Sequence, residues 1–196
     1  MIRVGLFVLL AVACLAGCGK PTAEEYFARG RQEAARATLI ADSLRSEEAV
    51  REAFKPALAL LANVVSEYPH HPLADSALFM IASIRQSNLH MPVEAIEGYR
   101  QYCRDYPGGS QAPTAMFLIG YLYNNELHNT DSAAAAYRRF LAMYPENAMA
   151  QSAQFELDNL GKSPDEVLTP AQPEAPKGGK HGVRTAAAKP PARPGT

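Results

Sequence analysis

The sequence predicts an all-α protein, a solenoid of helical hairpins closed by a C-terminal capping helix. Three observations predict it. Tyr-Pro occurs at Tyr68-Pro69, Tyr106-Pro107 and Tyr144-Pro145, 38 residues apart each time, and a fixed period of that size marks stacked repeats. Upstream of each pair one apolar stripe returns at i, i+1, i+4, i+7, i+8 and i+11, the spacing of a helix face. The composition agrees: the 196 residues are 47% hydrophobic yet contain no Trp, and the abundant Ala favours close-packed helices over a sandwich or barrel.

The N-terminus reads as an export signal. Met1-Ile2-Arg3 is a short positive region and residues 4–16 are an apolar run. That run is too short for a membrane-spanning helix and long enough for a signal-peptide core. It ends in Leu15-Ala16-Gly17-Cys18, which resembles a bacterial lipobox. The resemblance implies a signal peptide over 1–17, diacylglycerol on the Cys18 thiol, and a linker over 18–22. Gly19 is not the Asp that retains such lipoproteins at the inner membrane, so the expected location is the periplasmic face of the outer membrane. Several acyl chains on one cysteine make attachment effectively permanent, each buried methylene contributing about 0.8 kcal/mol. Cys14 leaves with the signal, so Cys103 is the only thiol left besides Cys18 and the fold is held by packing.

The repeat domain is expected over 23–168, each unit being helix A followed by helix B. The B stripes are Ala57, Leu58, Leu61, Val64, Val65, Tyr68, then Ala95, Ile96, Tyr99, Tyr102, Cys103, Tyr106, then Ala133, Ala134, Tyr137, Phe140, Leu141, Tyr144. Proline after each B helix ends it, because it cannot continue the hydrogen-bond ladder. The A segments repeat as well: Ala74, Ala77, Leu78, Phe79 and Ile81 match Ala112, Ala115, Met116, Phe117 and Ile119. Small residues at Ala77, Ala82, Ala115 and Gly120 allow close helix approach.

Met116, Ile119, Gly120, Tyr123, Ala133, Tyr137 and Pro145 follow the W-x2-L-G-x2-Y, A-x3-F, P pattern with conservative swaps. Leu78, Ile81, Ala82, Ala95, Tyr99 and Pro107 do the same, with Arg85 departing from the aromatic. In these residues the chain resembles the tetratricopeptide repeat. The resemblance implies a right-handed α-solenoid whose A helices line a groove for peptides or partner helices. The lengthened period is similar to that of BamD-type outer-membrane assembly lipoproteins and, less closely, of Tol-Pal-associated periplasmic tetratricopeptide proteins.

The first unit is longer. Gly30 lies 27 residues before Ala57, whereas Gly120 lies 13 before Ala133. The surplus of 14 predicts two extra turns on each helix, a bend near Arg45-Ser46, and a kink or restart at Pro56. After the third unit, residues 147–160 form a cap with Ala150, Ala153, Leu157 and Leu160 inward, ended by Gly161. Ser163-Pro164-Asp165-Glu166 resembles a capping box before a last turn of helix. Residues 169–196, rich in Pro, Ala, Gly and Lys, cannot build a core and are expected to be disordered. That basic tail suits a solubilising spacer or a contact with anionic wall polymers or lipopolysaccharide.

Function follows from what the residues offer. Residues 20–168 carry 13 basic and 19 acidic side chains, which excludes a phosphate-backbone binder and hence nucleic acid. His70-His71, His90 and His128 invite a metal reading, but equivalent positions of stacked repeats stand about 10 Å apart. Zinc needs several ligands near 2 Å, so no metal site is expected. Cys103 sits on a core stripe and reads as a small hydrophobe. No nucleophile, phosphate loop or carboxylate pair has usable spacing; no catalytic residue, cofactor or small-molecule substrate is expected.

The groove implied by the resemblance is Phe79, Ser83, Gln86, Phe117, Tyr121, Asn124, Phe155 and Asn159, aromatics for burial and amides for pairing with backbone groups. The phenylalanines are equally suited to packing repeats together. The expected function is a lipid-anchored interaction scaffold of the cell envelope, possessing protein or peptide partners, in outer-membrane protein assembly. The alternatives are a coordinator of wall synthesis or Tol-Pal-type constriction and, remotely, a periplasmic metal binder or enzyme.

Overall fold

A computed structural model describes residues 19–162 and 166–167. Seven helices lie among them: α1 (Ala23–Ala41), α2 (Glu47–Glu67), α3 (Ala74–Ser87), α4 (Pro92–Asp105), α5 (Ala112–Asn125), α6 (Thr130–Met143) and α7 (Ala150–Asp158). No strand occurs among the described residues. The expected signal peptide over 1–17, the lipidated Cys18, residues 163–165 and the tail over 169–196 lie outside them.

Helices α1 and α2, α3 and α4, and α5 and α6 pack as hairpins; α2 meets α3, α4 meets α5, and α6 meets α7. The result is the all-α array of stacked hairpins that the repeat predicts. Burial follows the stripes. The i, i+4 and i+7 positions of every B helix are buried: Ala57, Leu61 and Val64, then Ala95, Tyr99 and Tyr102, then Ala133, Tyr137 and Phe140. Each core cluster spans three successive helices. One joins Leu78 and Ala82 of α3 to Tyr99 and Tyr102 of α4 and Ala115 and Ile119 of α5. Apolar burial thus crosses hairpin boundaries and holds the repeats in register.

The Tyr-Pro turns are superimposable in their dihedrals. Tyr68, Tyr106 and Tyr144 have φ/ψ of −132/53, −130/58 and −133/54. Each carbonyl accepts from the N–H three residues on, His71, Gly109 or Asn147, at 2.9, 2.9 and 3.1 Å. The next helix then begins at Ala74, Ala112 or Ala150. These tyrosines also reach backwards. Tyr106 donates its hydroxyl to the Pro69 carbonyl at 3.2 Å, and Tyr68 donates to Pro21 at 2.7 Å. Lys20-Pro21 therefore stands where an earlier Tyr-Pro turn would. Lys20 Nζ is 3.0 Å from Glu67 Oε2 and 5.9 Å from the centre of the Tyr68 ring.

In the first hairpin the surplus is helical. Six of the extra residues prolong α1 beyond Gly30, one lengthens the turn before Ser46, and seven prolong α2 ahead of Ala57. Ser46 caps α2 by accepting from the Ala49 N–H at 3.1 Å. The expected restart at Pro56 does not occur: α2 runs through it as one continuous helix. Pro56 and Glu52 are both exposed, so water can reach the Glu52 carbonyl that loses its helical donor, and a proline is tolerable there.

The cap has a steric cause. Each hairpin crosses closely at one A-helix position, occupied by Gly30, Ala82 and Gly120. A Cβ on Gly30 would lie 2.9 Å from Leu61 Cγ, and one on Gly120 2.7 Å from Tyr137 Cε1. The equivalent residue of α7 is Asp158, too large and too polar for a further B helix to cross there. Gly161 follows at φ +74°, the left-handed conformation that glycine adopts freely. Contacts divide the chain after Gly161 into two units; of the second, residues 166–167 are helical.

Candidate interaction surface

The expected groove residues lie on α3, α5 and α7, with Asn159 directly after α7. Their environments differ. Phe79 packs within its own hairpin, 5.3 Å from the Tyr99 ring and 5.8 Å from that of Tyr102, centre to centre. Phe117 repeats this against Tyr137 and Phe140 at 5.6 and 6.0 Å. Both are half-buried. Phe155 occupies the same position on α7, where no B helix follows among the described residues, and is 56% exposed.

The polar members divide likewise. Gln86 Oε1 accepts a hydrogen bond from the Tyr99 hydroxyl at 2.7 Å, so this amide braces the hairpin. Burial pushes the Tyr99 phenol up to about 12, with Ser83 hydrogen-bonding it in the opposite sense. Tyr121 is 37% exposed and Asn124 is half-buried. Asn159 donates its amide to the Phe155 carbonyl at 2.7 Å.

Two contributors were missed from sequence. A cleft of about 360 Å3 brings Phe79 and Ser83 together with Phe27 and Arg31 of α1. Phe27 stands three residues before Gly30, as Phe79 stands before Ala82, Phe117 before Gly120 and Phe155 before Asp158. The Tyr-Pro period hides this, because the surplus in the first hairpin breaks the 38-residue spacing. Aligning on the small crossing residue reveals it. The Arg31 guanidinium lies 6.0 Å from the centre of the Phe27 ring. One phenylalanine per A helix therefore recurs, and four residues after it the side chain changes: Arg31, Ser83, Tyr121, Asn159.

The histidines have backbone and turn roles. His90 and His128 close the A-to-B turns at φ 50° and 49°, a left-handed conformation that His adopts more readily than most residues. His71 Nδ1 accepts from the Leu73 N–H at 3.2 Å, and its Nε2 lies 3.0 Å from Glu24 Oε1. Among the described residues no three His, Cys, Asp or Glu side chains converge as a metal site. Cys103 is half-buried, 3.8 Å from the Ala112 carbonyl, and burial pushes its thiol up against the opposing pull of Arg139 and Arg104. Thiolate reactivity is suppressed in such a setting.

Paired helices stacked on a shared apolar seam, with one varied row of side chains, define a helical-repeat interaction protein. Residues 114–147, which span most of α5, all of α6 and the following turn, match the family model described as Tetratricopeptide repeat. The chain thus carries a tetratricopeptide repeat, a fold that mediates protein–protein contacts. A comparison with curated proteins finds no match.

Proposed function

We propose that this protein is a lipid-anchored scaffold of the bacterial cell envelope that holds other proteins or peptide segments on its A-helix face and performs no chemistry. One observation carries the reading. The phenylalanine row is constant, while the residues four further on are Arg31, Ser83, Tyr121 and Asn159. A constant apolar row with a variable polar row is how a repeat surface discriminates among ligands without altering its frame.

Anchoring at Cys18 is supported by the lipobox-like Leu15-Ala16-Gly17-Cys18 and by how the chain starts. Lys20 and Pro21 are held by Glu67 and Tyr68, leaving Gly19 alone between Cys18 and the folded array. Three residues reach about 10 Å at most, so acylation would hold the Tyr68 end of the first hairpin close to the bilayer. No helix among the described residues is long and apolar enough to cross a membrane, so in this reading the lipid is the attachment. The location is the periplasmic face of the outer membrane, and the role is outer-membrane protein assembly.

Growing cells on an alkyne-tagged fatty acid tests the anchor. The chain is expected to take up label and sediment with outer membranes, and Cys18→Ala to abolish both. An unlabelled wild-type chain overturns the lipid anchor. Crosslinking in intact cells tests the role. Recovered barrel-assembly components support it; recovered Tol-Pal or wall-synthesis proteins replace it with a coordinating role.

A further inference from the structure

A second cleft lies away from the A-helix face. It occupies about 420 Å3 between α4 and α6, with α5 as its floor. Met116, Ile119 and Tyr123 of α5 make the base apolar, while Arg100, Arg104 and Arg139 stand on the two walls. All three arginines are exposed. Arg100 lies 5.5 Å from the centre of the Tyr123 ring. Among the described residues none of the three forms an ion pair, and no carboxylate lines the cleft.

The repeat itself shows that the fold does not require these charges. One period earlier, where α2 and α4 flank α3, the equivalent residues are Ala62, Ser66 and Gln101. All are neutral, and that junction packs with the same stripes. The cationic cluster is a local departure, set in a domain whose residues 20–168 carry an acidic excess. Guanidinium groups are planar forks matched to carboxylate oxygens. Three forks at the rim over an apolar base fit carboxylates alternating with an apolar side chain. A lone inorganic anion would leave the half-buried Cys103, Tyr123 and Ala136 facing water.

We propose that this cleft is a binding site for an acidic segment of a partner polypeptide, its carboxylates on Arg100, Arg104 and Arg139 and an apolar side chain against the half-buried Cys103, Tyr123 and Ala136. The site is distinct from the A-helix face, so two partners, or two parts of one, are held at once.

Selection of short random peptides tests it, using the full chain and its Arg100→Gln/Arg104→Gln/Arg139→Gln variant, with circular dichroism confirming equal helix content. Peptides preferring the wild type are expected to carry Asp or Glu around an apolar residue. A synthesised example should bind roughly tenfold more weakly to each single Gln variant. Its binding should also fall as salt rises from about 50 to about 500 mM. Tyr121→Ala should leave it unchanged, which separates this site from the A-helix face. The proposal is overturned by selected peptides lacking an acidic excess, by acidic peptides that bind the triple variant equally, or by no peptide preferring the wild type. Binding to phosphatidylglycerol vesicles that the triple variant loses, with no acidic peptide selected, would assign the cleft to lipid instead.

Discussion

The Ala82 methyl fills the space that a Cβ on Gly98 would need, only 2.9 Å away. In the third hairpin the small partner is on the other helix: Gly120 on α5 faces Tyr137, and the equivalent of Gly98 is Ala136. The second hairpin has exchanged the two, so one methyl group is accommodated at the crossing in either arrangement. Gly98→Ala is expected to destabilise by about 1–2 kcal/mol, because overpacking outweighs the gain in helix propensity. Adding Ala82→Gly should recover about 1 kcal/mol, a coupling that denaturant unfolding of the four-member cycle reads directly.

Tyr99 and Tyr137 hold the same position in successive repeats but differ in one bond. The Tyr99 hydroxyl meets Gln86, whereas the buried Tyr137 hydroxyl has no hydrogen-bond partner among the described residues. Tyr99→Phe should cost about 1 kcal/mol, leaving the Gln86 acceptor unmatched. Tyr137→Phe should be neutral or stabilising by up to about 1 kcal/mol, since it removes an unpaired buried group. Thermal unfolding of the two variants should therefore shift in different directions or by clearly different amounts.

His90 and His128 keep positive φ at the cost that a Cβ imposes there. Replacing either with Gly is expected to stabilise by about 0.5–1 kcal/mol, the relief of left-handed strain exceeding the added chain entropy. A fall in melting temperature would show that the imidazole contributes more than its backbone geometry.

Alkaline pH should unfold the array through its buried phenols. Tyr99 is raised to about 12 and Tyr137 is raised further, burial being the main cause in both. Unfolded tyrosines ionise near about pH 10. This contribution to stability is whole below that value and is lost as pH climbs through the folded values, because only the unfolded chain then releases its protons. Tyrosinate absorbance and helical dichroism followed together against pH should change in one step for these residues. Ionisation of the buried tyrosines without loss of helix would contradict this.

The repeat frame was legible because it depends on periodicity. The stripes around Leu61, Tyr99 and Tyr137 fix helix, face and stacking order at once, and the Tyr-Pro pairs mark the turns. The first hairpin was legible in total length, since Ala, Glu, Arg and Leu between Gln32 and Arg51 favour helix. A restart at Pro56 was expected because a helix interior normally excludes proline, and sequence does not reveal that Glu52 and Pro56 lie on the exposed face of α2. The Thr22 capping box with Glu25, present in the structure, was visible as T-x-x-E but lay outside the repeat that organised the reading. Phe27 and Arg31 were hidden by the surplus that displaces them from the period. That Phe79 and Gln86 brace their own hairpin depends on how far α4 leans onto α3, which no spacing encodes.

The central claim is that partners are held on the A-helix face. A photo-crosslinking amino acid placed in turn at Tyr121, Phe155 and, as a control, exposed Lys55 of α2 addresses it in living cells. Tyr121 and Phe155 should yield the same discrete protein adducts, and Lys55 none. Adducts from Lys55 as strong as those from the other two, or none from either Tyr121 or Phe155, would contradict the account.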